Sequence, residues 1–234
     1  MKKILVPTDF SPTAERAFLY AIDLAKRSGA VVVLYHVYEP QESEFIDNLT
    51  RRRLYNEQME QDLQLQLERL CRKLVPEDSG IVVLPVLGRS PLIDNVLGYS
   101  EHHEVDLIVM GTQGASGLKR ILIGSNAAKI IKNSDIPVLL IPEKFDWKLP
   151  EQIIYFTDCF SPDRAAFDKV VLLANIFRAG ITVAHFIRGN VGGTDLEKES
   201  DFFKNYAQQL ASDYPGQPLR FELIKTTSIV TALE

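Results

Sequence analysis

The alternation of short apolar runs with longer helical segments constrains the fold of this chain more than any other feature of its sequence. The apolar runs occupy residues 3–8, 31–37, 81–87, 106–110 and 138–141. Continuous apolar runs are typical of strands that are buried on both faces of a parallel sheet. The segments between them predict four helices, at residues 12–28, 41–74, 91–103 and 125–133. Five strands alternating with four helices predict an α/β domain with a doubly wound five-stranded parallel sheet that ends near residue 143.

Local capping signals support the first strand–helix–strand unit. Ser11 offers a capping hydroxyl, and Pro12 follows it at the first helical position. Gly29 is placed to close the same helix just before the second apolar run. A helix between two such strands predicts a right-handed parallel crossover.

A glycine-rich stretch follows the fourth apolar run, at residues 106–125. Glycines stand at positions 111, 114 and 117, and Gly124 with Ser125 opens the next helix. Glycines let backbone amides approach an anion, and a helix start adds a partial positive charge. The stretch therefore indicates either a phosphate site or a bare connection between strand and helix. Lys119 and Arg120 lie within it, either near a phosphate or as solvated charges.

Composition narrows the classes of function. With 234 residues, 46% of them apolar, the chain can bury the core of one large or two modest domains. Its net charge of −5 disfavours nucleic acid as a partner. The sequence contains only two cysteines, which predicts free thiols. No apolar run has the length of a signal peptide or a membrane span, so we expect a cytoplasmic protein without a membrane partner.

No enzyme motif accompanies the glycines. The sequence contains no P-loop pattern, no dinucleotide fingerprint after the first strand and no nucleophile elbow. We therefore expect no catalytic residue and no metal site.

The second half of the chain repeats the first. Residues 153–167, IIYFTDCFSPDRAAF, echo residues 4–18, ILVPTDFSPTAERAF. Residues 180–186 match residues 29–37, with His185 and His36 late in the matching strands. Self-similarity at about 150 residues predicts two copies of one domain. We expect a first domain at residues 1–143, a linker at 144–152, and a partial second copy at 153–234 that lacks the glycine loop and the last strands.

The glycine spacing together with the opening ILVPTDFS resembles the nucleotide-binding signature of the universal stress protein family. The resemblance covers residues 1–142 and, as a partial second copy, residues 153–234. It implies the adenine nucleotide alpha-hydrolase-like fold and the ATP-binding branch of the family, in a tandem form with an incomplete second copy.

The resemblance also implies a set of ligand-binding residues at the carboxyl ends of strands one, two and four. For the adenine and ribose they are Pro7, Thr8, Asp9 and Val37; for the ribose and phosphates they are Met110, Gly111, Gly114, Gly124 and Ser125. Asn126 stands where the family often has valine or threonine, and its amide can donate to a phosphate. Carboxyl strand ends beside a switch in strand order are where open α/β sheets bind ligands.

Three functions remain open at this point. The first is a stress-response sensor that binds ATP or AMP, with Mg²⁺ as an optional companion, and acts through association. The second is a slow ATPase or nucleotidyl-transfer enzyme that uses the same pocket. The third is a structural interaction domain without a ligand. For partners we expect a homodimer formed through the fifth strand, residues 138–141, or through packing of the second repeat, because an apolar edge strand needs a neighbour.

Overall fold

The computed structural model describes residues 1–41, 49–112, 123–143, 148–158, 160, 163–188 and 194–226. Two compact units divide the chain, Met1–Trp147 and Lys148–Glu234. The assignment of the second unit as a repeat domain of the first stays a prediction. None of the helices in the described ranges is long and apolar enough to cross a membrane.

The first unit is a five-stranded parallel sheet with helices between its strands. The strands are β1 (Lys3–Pro7), β2 (Val31–Tyr38), β3 (Val83–Arg89), β4 (Leu107–Gly111) and β5 (Val138–Ile141). The helices are α1 (Pro12–Ser28), α2 (Leu49–Leu74), α3 (Leu92–His102) and α4 (Ser125–Asn133). The strand order is β3-β2-β1-β4-β5, which reverses between β1 and β4. This confirms the predicted doubly wound sheet.

The ends of α1 follow the capping chemistry read from the sequence. The Ser11 hydroxyl accepts a hydrogen bond from the Ala14 amide at 3.2 Å, and Pro12 occupies the first turn. Gly29 ends the helix in the left-handed conformation, with φ at 72°. A residue with a side chain would be strained there.

The third strand begins and ends later than predicted. The sequence favoured residues 81–87, whereas β3 runs to Arg89 and places Gly88 inside the strand. The register with β2 explains the later end. β2 continues to Tyr38, and Tyr38 pairs with Arg89, so β3 is paired with β2 along the whole length of β3. Gly88 fits because the Tyr35 side chain fills the space that a Cβ would need.

The predicted start of α2 at Gln41 is wrong. Gln41 is not helical, and its amide donates to the Asn56 side chain at 2.9 Å. Within the described residues the helix begins at Leu49, and residues 42–48 lie outside them.

The core of the first unit lies on both faces of the central strands. Leu5, Val33 and Ile108 from β1, β2 and β4 are fully buried. They pack with Val96 of α3 and Ile130 of α4 in one cluster. Burial on both faces explains why these strands read as continuous apolar runs.

The described residues of the second unit form three parallel strands and two helices. They are β6 (Gln152–Phe156), α5 (Arg164–Phe177), β7 (Gly180–Arg188), α6 (Thr194–Asp213) and β8 (Leu219–Thr226), with strand order β6-β7-β8. Phe167, Val183 and Phe203 are among its buried core residues. Residues 227–234, where the sequence suggested the start of a further helix, lie outside the described residues.

The two units share a hydrogen-bond pattern at the end of their first strand. His36 Nδ1 lies 2.8 Å from the Thr8 carbonyl oxygen, and His185 Nδ1 lies 2.8 Å from the Thr157 carbonyl oxygen. Both pairs are 28 positions apart in the chain. The local similarity read from the sequence therefore extends to side-chain contacts.

The first helices of the two units end on different residues, although the matching segments 29–37 and 180–186 both begin with a glycine. In the structure Arg178, with φ at 58°, takes the left-handed helix end that Gly29 takes in the first unit. Gly180 is instead the first residue of β7 and pairs with Gln152.

Candidate functional site

A cavity of about 430 Å³ opens at the carboxyl ends of β1, β2 and β4. Its size is within the range of small-molecule sites, roughly 300–1,000 Å³. The cavity lies where the strand order reverses, between β1 and β4. Its described lining consists of Pro7, Thr8, Asp9, Ala14, His36, Val37, Leu92, Met110, Gly111, Thr112, Gly124, Ser125, Asn126, Ala127 and Ile130.

The structure brings together every predicted site residue that it describes. The residues named from the sequence that line the cavity are Pro7, Thr8, Asp9, Val37, Met110, Gly111, Gly124, Ser125 and Asn126. Gly114, with Lys119 and Arg120, lies outside the described residues.

The turn after β1 presents Asp9 at the cavity. The Thr8 amide donates to the Tyr35 carbonyl at 2.8 Å, which continues the pairing of β1 with β2. The Thr8 hydroxyl accepts from the Phe10 amide at 3.1 Å, and Asp9 Oδ1 accepts from the Ser11 amide at 3.0 Å. These turn bonds fix the direction of the Asp9 carboxylate.

His36 lines the cavity and was not predicted as a site residue. Because a carbonyl oxygen only accepts hydrogen bonds, Nδ1 of His36 donates to the Thr8 oxygen. The tautomer that donates through Nδ1 carries a lone pair on Nε2, which can accept a hydrogen bond. The Phe10 ring lies 4.6 Å from the His36 ring, between centroids. The repeat of His36 as His185 was the one sequence signal that marked this position.

The start of α4 forms the opposite side of the cavity. Gly124 caps the helix without a side-chain hydrogen bond, and its own amide donates to the Thr112 carbonyl at 2.6 Å. Ser125, Asn126 and Ala127 of the first turn all line the cavity. The first amides of a helix have no intrahelical partner, and here no acidic side chain stands in the first turn. This end of the cavity therefore favours an anion.

Gly111 has a packing role as well as a position in the cavity. A Cβ built on it would lie 2.5 Å from Thr13 Cγ2 and 3.2 Å from the Thr13 carbonyl oxygen. The end of β4 therefore approaches α1 too closely for any larger residue without a shift of α1. The sequence suggested only that a ligand approaches this glycine.

A polar cluster beyond the cavity ties α2 to the sheet. Arg89 donates through Nε to the Tyr38 hydroxyl at 2.9 Å and through Nη2 to Glu60 Oε1 at 2.7 Å. Tyr38 also donates to Glu60, and the hydrogen bonds from Tyr38 and Arg89 lower the pKa of the Glu60 carboxyl. On the same helix Arg53 pairs with Glu57 at 2.8 Å. Within the described residues, no group of three His, Cys, Asp or Glu side chains could hold a metal ion.

The model of the universal stress protein family matches residues 1–142, which is the part of the chain that carries the cavity. This chain belongs to the universal stress protein family. Universal stress protein MJ0531 of Methanocaldococcus jannaschii is 34% identical over 142 residues, which are 60% of this chain and 81% of that protein. Universal stress protein MJ0577 of the same organism is 31% identical over 157 residues, covering 61% and 96% of the two chains.

Solved structures of universal stress proteins have the same fold. The structure of the hypothetical protein MJ0577 matches with a TM-score of 0.53 at 32% identity, over 62% of this chain and 98% of that chain. A universal stress protein from Archaeoglobus fulgidus matches with a TM-score of 0.70 over 96% of this chain and 79% of that chain. At 19% identity the second match shows the fold alone.

Proposed function

We propose that this universal stress protein binds ATP or AMP in the cavity between β1, β4 and α4 and acts as a sensor through association. The observation that carries the proposal is the set of lining residues. Strand ends far apart in the chain place Asp9, Val37 and the first turn of α4 around one cavity at the switch in strand order. Such a position is the usual ligand site of an open α/β sheet.

The two sides of the cavity differ in chemistry, as a nucleotide requires. Asp9 offers carboxylate oxygens that accept hydrogen bonds from ribose hydroxyls, and Val37 and Met110 offer apolar surface to a base. The first turn of α4 offers amide donors and a positive partial charge to phosphates. Among the described lining residues Asp9 is the one carboxylate, so Mg²⁺ would be held mainly by the phosphates and water.

Association through β5 is part of the same proposal. Among the strands that the structure describes, β5 pairs with β4 alone. Its residues VLLI carry no charge, and Val138, Leu139 and Leu140 are only partly buried. An uncharged edge strand favours pairing with a further strand in a homodimer. We also propose that the protein is cytoplasmic, as expected from the sequence.

The proposal is tested by identifying and titrating the nucleotide. Freshly purified protein is denatured, and the released small molecules are separated by chromatography. Calorimetric titration of nucleotide-free protein with ATP and AMP then gives the affinities. We expect an adenine nucleotide in the first measurement and saturable binding of one equivalent per chain in the second. If the chain neither carries nor binds a nucleotide, the proposal is refuted, and the role of a structural interaction domain without a ligand is favoured instead.

A matched pair of variants locates the site. Asp9→Asn keeps the side-chain oxygen that accepts from Ser11 but removes the charge, so the turn is retained. Loss of a charged hydrogen-bond partner should weaken binding about 10-fold to 100-fold. Asp158 accepts from the Phe160 amide in the corresponding turn of the second unit. Asp158→Asn is therefore the control, and its affinity should equal that of the unaltered chain.

A further inference from the structure

Two histidines occupy matching positions in the two units. His36 in β2 and His185 in β7 each donate through Nδ1 to the carbonyl oxygen of a threonine, at 2.8 Å in both cases. Their registers match as well, because His36 pairs with Leu87 and His185 pairs with Leu223. The backbone therefore sets the same position twice, and only the surroundings of the two rings differ.

His185 is enclosed by the second unit. It is 5% exposed, and the Phe203 ring of α6 stacks on it at 5.8 Å between centroids. Glu199 Oε2 lies 3.9 Å from His185 Nε2, which is too far for a hydrogen bond. Within the described residues the buried Nε2 has no hydrogen-bond partner. The His185 ring is therefore part of the packing of the second unit.

His36 instead faces the cavity. It is partly exposed, and it lines the cavity together with Asp9 and Val37. These two neighbours belong to the side that we assign to the base and the ribose. The Nδ1 hydrogen of His36 is already donated to Thr8, so the polar atom that remains is Nε2, which accepts a hydrogen bond.

Two contacts hold the His36 ring in one orientation. The Thr8 carbonyl fixes the edge that carries Nδ1. The Phe10 ring lies against one face, at 4.6 Å between centroids and a tilt of 45°. Phe10 reaches this position with a left-handed backbone, φ 61°, which is uncommon for a bulky residue and typical of functional sites. An acceptor held in a fixed direction loses little freedom when it binds a donor.

We propose that His36 is a specificity-determining residue of the nucleotide site, and that its Nε2 accepts a hydrogen bond from the nucleoside half of the ligand. This inference rests on the proposed function. The donors that an adenine nucleotide offers there are the 6-amino group of the base and the 2′- and 3′-hydroxyls of the ribose. A ligand that lacks the donor leaves Nε2 unpaired in the complex, and such a ligand is rejected.

Calorimetric titrations with ligands that each lack one donor test the proposal. The ligands are ATP, inosine triphosphate, 2′-deoxy-ATP and 3′-deoxy-ATP, and each is bound to the unaltered chain and to His36→Asn. The asparagine amide takes the place of Nδ1 and keeps the bond to Thr8, but it has no atom at the position of Nε2. We expect about 2-fold to 10-fold weaker ATP binding, the net contribution of one neutral hydrogen bond.

The ligand that has lost the donor to His36 should bind His36→Asn and the unaltered chain equally well, because the bond is already missing. That ligand identifies the donor. No loss for ATP, or the same loss for ATP and for every other ligand, would overturn the role of His36. If the unaltered chain does not bind ATP, the proposed function is refuted together with this role.

Two further variants separate this role from a general loss of structure. His185→Asn makes the same change at the enclosed histidine, so it should bind ATP as the unaltered chain does. His36→Gln places an amide oxygen near the position of Nε2, so it should recover part of the affinity that His36→Asn loses. Equal ATP affinities for His36→Gln and His36→Asn would contradict an acceptor at Nε2.

Nitrogen NMR of the unaltered chain keeps the test decisive where a variant does not fold. The chain contains four histidines, which are labelled with ¹⁵N in the ring. Saturation with ATP should shift the Nε2 resonance of one histidine more than its Nδ1 resonance, because Nδ1 of His36 stays bonded to Thr8. Imidazole resonances that all stay in place on ATP binding would refute the hydrogen bond.

Discussion

Replacing Asn126 with aspartate should raise the stability of this protein and lower its affinity for phosphorylated nucleotides. Asn126 lies in the first turn of α4, is exposed, and lines the cavity. A negative charge there interacts favourably with the helix dipole but unfavourably with a phosphate at the same helix end. The two effects have opposite signs and separate measurements, so a general loss of structure cannot imitate them.

The magnitudes follow from the exposure of the site. An acidic residue in an exposed first turn contributes about 0.3–1 kcal/mol, which raises the Tm of a domain of this size by about 1–4 °C. Two unit charges about 4 Å apart repel by about 1 kcal/mol in water and about 4 kcal/mol near a protein surface. Because the cavity is open to solvent, we expect about 1–2 kcal/mol, or about 5-fold to 30-fold weaker ATP binding.

The assay compares ATP, AMP and adenosine by calorimetry, and thermal unfolding without ligand. The loss of affinity should be largest for ATP, smaller for AMP and absent for adenosine. Asn133→Asp, at the other end of α4 and about 10 Å along the axis, is the control. It should lower stability and leave ATP binding unchanged, since screening is strong at that distance. An equal loss for ATP and adenosine, or none for ATP, would refute a phosphate position at the start of α4.

Two further predictions concern packing and titration. Leu5→Ala should destabilise the first unit by about 2–5 kcal/mol in denaturant unfolding, because Leu5 is fully buried. Leu84 is 44% exposed, so Leu84→Ala should change the free energy of unfolding by about 0.5 kcal/mol or less. Equal losses for the two variants would contradict the burial described for β1. Burial, with the nearby Glu68 charge, raises the pKa of the Cys71 thiol to about 11, so iodoacetamide should label Cys71 slowly at pH 8 in the folded chain and readily in the unfolded chain. Because the folded pKa is raised, the stabilisation from the protonated thiol is present below the unfolded pKa, about 8.5, and is lost as the pH rises toward 11. Labelling is followed by mass spectrometry, and fast labelling of the folded chain would contradict a thiol that is half-buried beside Glu68.

Much of the candidate site could be predicted because its residues sit beside strong local signals. Asp9 follows a buried strand, and Gly124 precedes a helix, so their positions at strand and helix ends follow from the sequence alone. The roles of His36 and Gly111 could not be found in the same way. The His36 contact with Thr8 spans 28 positions, and the Gly111 contact with Thr13 joins β4 to α1. Such contacts exist only after the strands have taken their places in the sheet.

The sequence by itself determined the elements of this protein and their parallel order. Apolar runs specify buried strands, Ser11 and Gly29 specify helix ends, and crossovers of one handedness leave few topologies. The tertiary structure decided the register of the strands and the surroundings of individual residues. It moved β3 to Val83–Arg89, gathered the strand ends around one cavity, and left Ile154 exposed where Leu5 is buried. The physical reason is that capping and periodicity act over a few neighbouring residues, whereas register and burial depend on strands distant in the chain.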